Sequence, residues 1–168
     1  HRYRAATRDW LERARESRPT AARLVFLSGA FVRGPYANAW RREHGVLHDL
    51  GPHAFDLLEG VLGPIVAIEG TGDPRATVAL VCTHESGATS EVSLSGVSEL
   101  PQTVFTLEAS GPSGALAFDA VAASTESPWA AVRRSFARAV RGGERPAHDA
   151  ARGLALQRLI ARASEALG

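Results

Sequence analysis

Asp49 and His53 are the two residues of this chain whose types and spacing best suit proton transfer. Side chains four residues apart are neighbours on an α-helix, so the carboxylate can accept a hydrogen bond from one imidazole nitrogen. Such a bond fixes the tautomer and the orientation of the ring, and it leaves the other nitrogen to exchange a proton with a substrate hydroxyl near neutral pH. The pair is therefore a candidate acid/base device.

Three other interpretations fit the same spacing. A histidine on an amphipathic helix is more often structural or solvent-facing than reactive. Asp49 also suits an N-cap, since Gly51 and Pro52 match a helix whose first turn begins there. Finally, zinc or another divalent ion can use two pairs of ligands spaced four apart. Such pairs occur in the cluster His44, His48, Asp49, His53 and Asp56.

The pair must be positioned by a helix, which we predict over residues 45–63. Asp49, His53 and Asp56 then fall on one stripe of that helix. An apolar stripe lies about a quarter-turn away. It consists of Leu47, Leu50, Ala54, Leu57, Leu58 and Val61. The helix is therefore expected to pack on one face and to react on the other.

The whole pattern is more specific than the spacing. A small-residue turn, the run from Asp49 to Leu58 and a closing Leu-Gly-Pro resemble the substrate-domain helix of the Gfo/Idh/MocA oxidoreductases. In that family a tryptophan and a loop precede the helix, and Trp40 occupies that place here. The resemblance implies that His53 moves a hydroxyl proton and that Asp49 orients His53.

The same resemblance implies three substrate-binding residues. Tyr36 and Trp40, in a loop over residues 33–40, would border the substrate pocket; the alternative is plain packing against the sheet. His148 precedes the last helix and would lie near a domain interface, although the flank of a helix is also an ordinary place for a polar residue.

The resemblance further implies hydride exchange between NAD or NADP and a carbon of a sugar, cyclitol or related polyol. No Gly-x-Gly-x-x-Gly occurs in this chain, so a domain absent from it would hold most of the cofactor. Every basic residue is arginine, so the lysine that completes the family's site must also come from elsewhere. We therefore expect residues 1–168 to be a single substrate-binding and oligomerisation domain, inactive in isolation. A non-catalytic assembly or ligand-binding module is the alternative.

Turn signals and β-formers predict the remaining elements. Strands are expected over residues 22–32, 65–70, 76–84, 89–96, 103–109 and 115–118, with a short surface helix over 7–16 and helices over 128–141 and 149–167. The last helix would turn Leu154, Leu156, Leu159, Ile160 and Ala163 toward the core. This order predicts an α+β fold, an open-faced and largely antiparallel sheet with helices on one face. By resemblance the open face would meet a second subunit in a homo-oligomer; a polar face contacting only solvent is the alternative.

Composition bounds the remaining functions. No apolar run approaches the length of about 20 residues that a bilayer span needs, so no membrane partner is expected. Arginines concentrate at the two ends, but no aromatic residues interleave them to stack bases, which disfavours nucleic acid. The single cysteine, Cys82, lies in a predicted strand, where we expect a core residue and not a nucleophile. One cysteine also fits a cytoplasmic protein.

Overall fold

The computed structural model describes residues 1–34, 36–125, 127–144, 146 and 148–168. Residue 35 of the expected loop lies outside them. The described residues form four helices, α1 (Ala5–Glu16), α2 (Ala39–Leu62), α3 (Trp129–Val140) and α4 (Ala150–Ala166), and six strands, β1 (Ala21–Leu27), β2 (Ile65–Asp73), β3 (Thr77–His84), β4 (Thr89–Ser95), β5 (Val104–Gly111) and β6 (Gly114–Asp119).

The strands form one sheet in the order β2-β3-β4-β1-β5-β6. Short turns join β2 to β3, β3 to β4 and β5 to β6 as antiparallel hairpins. Strand β1 enters between β4 and β5, parallel to β4 and antiparallel to β5. The prediction of an α+β fold with a largely antiparallel sheet is confirmed.

Side chains alternate across the sheet, as a strand that buries one face requires. In β3 the residues Val78, Leu80, Cys82 and His84 are buried, while the intervening residues are exposed. Helix α2 packs on the buried face against β1, β3 and β4, and α4 packs against α2 and β2. All six residues of the predicted apolar stripe of α2 are buried. The long helix therefore closes the core, and its other face is left for chemistry.

Three sequence expectations are wrong in detail. The predicted strand 22–32 ends at Leu27, because Ser28 Oγ accepts a hydrogen bond from the Ala30 amide (3.1 Å) and turns the chain. Helix α1 is not merely a surface helix. It buries Thr7, Trp10, Leu11 and Ala14, whose spacing makes one stripe. In α4, Leu159, Ile160 and Ala163 are buried as expected, but Leu154 is 53% exposed because it lies on the outer side of that helix.

Helix α3 contrasts with the other three, because none of its residues is buried. Its apolar side chains Trp129, Phe136 and Val140 are 64%, 67% and 70% exposed. Among the described residues, no helix is both long enough and apolar enough to cross a membrane.

Candidate active site

Helix α2 carries the candidate residues Asp49 and His53 on the part that follows an interruption at Gly45. Gly45, at φ 78° and ψ −178°, interrupts the helix, and the Leu47 amide beyond it donates to the carbonyl of Pro74 (3.1 Å). The helix then runs through Pro52 to Leu62. The expectation that Asp49 caps a helix beginning at Gly51 is wrong, because the turns before Pro52 are already helical. Proline lacks an amide hydrogen, so Pro52 cannot donate to the carbonyl of His48.

Asp49 is paired with an arginine in this structure. Arg41 Nε donates to Asp49 Oδ2 at 2.8 Å, and both side chains are largely buried. Arg41 Nη1 also donates to the Tyr36 carbonyl (3.2 Å), and the guanidinium lies 5.3 Å from the centre of the Tyr36 ring. Arg41 therefore ties the loop that carries Tyr36 to the helix that carries Asp49.

His53 has no hydrogen-bond partner in the part of the chain that the structure describes. Its ring contacts the ring of His1 edge to face, with centroids 5.3 Å apart, and His1 in turn contacts Phe105 at 4.6 Å. The ring is open to solvent on one side and crowded by protein on the other. This crowding lowers the pKa of His53 from its ordinary value of 6.5, the positive amino group of His1 lowers it further, and Asp49 and Asp56 oppose both. A neutral imidazole with a free lone pair can accept a proton near pH 7.

A cavity of about 240 Å³ opens beside His1. Asp56, Arg2 and Arg152 are charged residues that line it. Arg152 Nε donates to Asp56 Oδ1 at 2.9 Å, and Arg2 Nε lies 3.6 Å from Asp56 Oδ2. His148 also lines the cavity, and its ring contacts that of Tyr3 at 5.2 Å. Burial lowers the pKa of His148, the positive charges of Arg2 and Arg152 lower it further, and Asp56 opposes them.

The structure divides the expected site residues into two groups. His148 lines the cavity beside His1, whereas His53 contacts His1 without lining that cavity. Tyr36 belongs with Asp49, through Arg41. Trp40 stacks on His44, with ring centroids 4.7 Å apart, and is 49% exposed. Neither Tyr36 nor Trp40 lines the cavity beside His1.

Two of the three histidines of the possible metal cluster, His44 and His48, bind backbone carbonyls of their own helix. His44 Nδ1 donates to the Trp40 carbonyl (3.0 Å), and His48 Nδ1 donates to the His44 carbonyl (3.1 Å). Within the described ranges, no three His, Cys, Asp or Glu side chains are arranged to hold a metal ion. Cys82 is buried, and burial raises the pKa of its thiol to about 11. A thiol of this kind is a poor nucleophile, as the sequence predicted.

A comparison with protein-family models tests the resemblance. The model of the GFO/IDH/MocA C-terminal domain matches residues 5–117, more than half of the chain. The chain belongs to the Gfo/Idh/MocA family. The match to this oxidoreductase C-terminal domain confirms the resemblance described from the sequence. A search of curated proteins found no match.

Solved structures share the fold of this Gfo/Idh/MocA domain. They include GenD2 from gentamicin A biosynthesis in complex with NAD, at 19% identity and a TM-score of 0.81 over 98% of this chain and 59% of that chain. A myo-inositol dehydrogenase from Corynebacterium glutamicum has 16% identity and a TM-score of 0.78, over 99% of this chain and 60% of that chain. A scyllo-inositol dehydrogenase from Lactobacillus casei, with bound NAD(H) and scyllo-inositol, has 13% identity and a TM-score of 0.79, over 99% of this chain and 60% of that chain. The chain therefore spans about 60% of these neighbours.

Sequence reasoning missed the arginines that organise this Gfo/Idh/MocA site. Arg152 is 96 residues from Asp56 in the chain, and no helical spacing links them. Arg41 is eight residues from Asp49, across the break at Gly45. The only signal available was the abundance of arginine near both ends of the chain. Pairing by long arginine side chains depends on tertiary structure, which a local pattern does not contain.

Proposed function

We propose that this chain is the substrate-binding domain of an NAD(P)-dependent dehydrogenase that acts on a sugar, a cyclitol or a related polyol. Membership of the oxidoreductase family and the inositol dehydrogenases among its structural neighbours support the proposal. The observation that carries it is His53: an imidazole of lowered pKa, without a hydrogen-bond partner among the described residues, in contact with His1, which lines the cavity of about 240 Å³. That is the state a general base requires.

The residues of this chain do not fit a dinucleotide site. The sheet is largely antiparallel, whereas dinucleotides bind where a parallel strand meets a glycine-rich turn and a helix. We assign the cofactor, NAD or NADP, to another domain. When bound, the nicotinamide exchanges hydride with the substrate carbon.

His53 accepts the proton of the substrate hydroxyl and returns it in the reverse reaction. Asp49, although held by Arg41, raises the pKa of His53 electrostatically and stabilises the imidazolium once it forms. His148 and Asp56 can bind further hydroxyls of a polyol, since histidine offers both a donor and an acceptor and a carboxylate accepts. Tyr36, from the loop that Arg41 holds, and Trp40, which lies in the first turn of α2 and not in the expected loop, would border the substrate. These roles are proposals.

Substituting His53 tests this function in the complete polypeptide that contains the chain. The reading frame upstream of His1 is determined first, and it should encode a dinucleotide-binding domain. We then expect His53→Asn to lower kcat for polyol-dependent NAD(P) reduction by about a hundredfold or more, with the affinity for the cofactor unchanged. His48→Asn, an exposed histidine on the same helix, is the matched control. Normal turnover in the His53 variant would refute the assigned role.

We also propose a homo-oligomer through the open face of the sheet. One row of that face crosses three strands in register, where Arg23 of β1 lies between Glu91 of β4 and Glu108 of β5. Val81 of β3, 51% exposed, continues the row beside Glu91. We expect Val81→Lys to give a monomer in sedimentation velocity, while Val121→Lys, outside the sheet, leaves the assembly intact. A monomeric parent chain would contradict the proposal.

A further inference from the structure

A second cavity, of about 350 Å³, lies between the N-terminal segment and helices α1 and α3. We name it the arginine cavity, because four guanidinium groups line it. Its lining residues are Arg2, Tyr3, Arg8, Ala131, Arg134, Ser135, Arg138 and His148. The lining contains no carboxylate.

The four arginines have little to neutralise them. Within the described residues, neither the Arg134 guanidinium nor the Arg138 guanidinium has a hydrogen-bond or ion-pair partner. Arg8 donates from Nη1 to the Tyr3 carbonyl (3.1 Å), which fixes its position without compensating its charge. Arg2 has Asp56 at 3.6 Å, and its Nη1 is buried without a hydrogen-bond partner. Arg8, Arg134 and Arg138 are exposed, so water screens their mutual repulsion, and an anion in the cavity would be attracted by all four positive charges.

Helix α3 is oriented so that its basic face lines the arginine cavity. Ala131, Arg134, Ser135 and Arg138 form one stripe at helical spacing, and all four line the cavity. The apolar residues Trp129, Phe136 and Val140 are instead mostly exposed. Two arginines of α3 and one of α1 thus converge on one volume from separate elements. An exposed arginine elsewhere on the surface would not meet this condition.

The arginine cavity adjoins the candidate active site. Arg2, Tyr3 and His148 line both this cavity and the one beside His1. Burial is the main cause that lowers the pKa of His148 at this junction, and Arg2 and Arg152 lower it further against the attraction of Asp56. A ligand whose hydroxyls lie against Asp56 and His148 can therefore extend into the basic volume.

We propose that the arginine cavity binds an oxyanion, a phosphate or carboxylate group carried by the polyol substrate. The enzyme would then act on an acidic sugar or cyclitol, such as a sugar acid or a sugar phosphate. Guanidinium groups suit this role because their paired N–H donors match the oxygens of carboxylate and phosphate. The substrate class rests on the proposed function, whereas the oxyanion site itself does not.

The oxyanion site is tested on the 168-residue chain with inorganic phosphate as the probe. Isothermal titration calorimetry should show that the parent chain binds phosphate. The double substitution Arg134→Gln/Arg138→Gln should weaken the affinity for phosphate by about tenfold or more. The control, Arg133→Gln/Arg158→Gln, removes the same charge from α3 and α4 outside the cavity, and circular dichroism checks folding of both variants. No binding by the parent chain, or equal weakening in both variants, would overturn the site.

The source of the oxyanion is tested in the complete polypeptide. We expect kcat/KM for a sugar acid or sugar phosphate, relative to the neutral sugar, to fall by about tenfold in Arg134→Gln/Arg138→Gln and to hold in the control. If the variant instead weakens NADH binding by that factor, the anion is the pyrophosphate of the cofactor, and the substrate assignment is wrong. An unchanged ratio also overturns that assignment.

The two proposals fail in different ways. If phosphate binds and the cavity variant loses it, but no polyol supports reduction of NAD(P), the oxyanion site stands and the dehydrogenase function falls. If neutral polyols are oxidised in a His53-dependent reaction while phosphate does not bind, the function stands and the oxyanion site falls.

Discussion

The continuous part of helix α2, residues 46–62, lies between two glycines of almost the same backbone conformation, and its two ends use their polar groups in opposite ways. Gly45 has φ 78° and ψ −178°, and Gly63 has φ 87° and ψ −173°. At the Gly63 end, His84 Nδ1 donates to the Gly63 carbonyl at 2.7 Å, and the Ile65 amide donates to Glu59 Oε1 at 2.9 Å. At the Gly45 end, Asp49 binds an arginine and His53 has no such partner among the described residues.

The two histidines show what this difference means. His84 is 1% exposed, and its Nε2 shares a hydrogen bond of 2.9 Å with Ser90 Oγ. Because a carbonyl only accepts, Nδ1 of His84 carries a hydrogen and donates it to the Gly63 carbonyl. Both nitrogens are therefore committed to the fold. His53 keeps both nitrogens available, so the fold supports its backbone and leaves its ring for a ligand.

Alanine at the two glycines should separate backbone strain from crowding, with the largest effect on stability. Gly63 has open space around it, whereas a Cβ on Gly45 would lie 2.4 Å from both the Pro74 carbonyl oxygen and Arg75 Cα. Both variants force a positive φ on alanine. We expect a loss of about 2 kcal/mol for Gly63→Ala and about 4 kcal/mol for Gly45→Ala, measured by urea unfolding. Equal losses would mean that the approach of the β2–β3 turn costs nothing.

Removing the buried histidine should cost nearly as much. His84→Ala leaves a cavity and deprives the Gly63 carbonyl and Ser90 of their partner, so we expect a loss of about 3 kcal/mol in the free energy of unfolding. His53→Ala and His48→Ala should each change it by less than about 0.5 kcal/mol, because both rings are exposed. A large loss in the His53 variant would place that histidine in the fold and remove the contrast.

At the C-terminal end of α2, the sequence predicted where the helix ends but not which side chain binds the Gly63 carbonyl. Gly63 and Pro64 marked the end of the helix, yet nothing in a strand of alternating residues identified His84 as the side chain that binds the Gly63 carbonyl. Burial of His84 depends on the pairing of β3 with its neighbours. The position of β1 between β4 and β5 was equally invisible, because local turn signals specify hairpins and not a strand that enters from elsewhere.

At the other end of α2, the sequence identified the candidate residues but not their partners. The helical period placed Asp49, His53 and Asp56 on one face, away from the buried stripe, and the structure agrees. It suggested that Asp49 and His53 share a hydrogen bond. The structure pairs Asp49 with Arg41 instead, since a charged guanidinium that reaches the carboxylate competes well against a neutral imidazole.

Acid should reveal the difference between the two ends through the pKa of His53. Its pKa is lowered in the folded chain, so below pH 6.5 the unfolded chain binds more protons and the folded state loses stability. His53→Asn removes this contribution. We therefore expect the stability of this variant relative to the parent chain to increase between pH 7.5 and pH 5, by less than about 1 kcal/mol because the ring is exposed. A difference that does not change with pH would contradict the lowered pKa.

Freeing Asp49 should produce the smallest effect, seen only in the titration of His53. Arg41→Gln removes the guanidinium that Asp49 binds, so the carboxylate can accept a hydrogen bond from His53, four residues along the helix. This bond would favour the imidazolium and raise the pKa of His53 above its value in the parent chain. Arg42→Gln is the matched control, because Arg42 donates to the Ala37 carbonyl and not to Asp49.

Two-dimensional NMR of the imidazole resonances measures both variants against the parent. A higher midpoint in Arg41→Gln alone shows that the arginine holds the pair apart and that a ligand able to draw Arg41 away would strengthen His53 as a base. The same midpoint in all three chains means that Asp49 does not reach His53 even when it is free. In that case His53 works without an orienting carboxylate on its own helix.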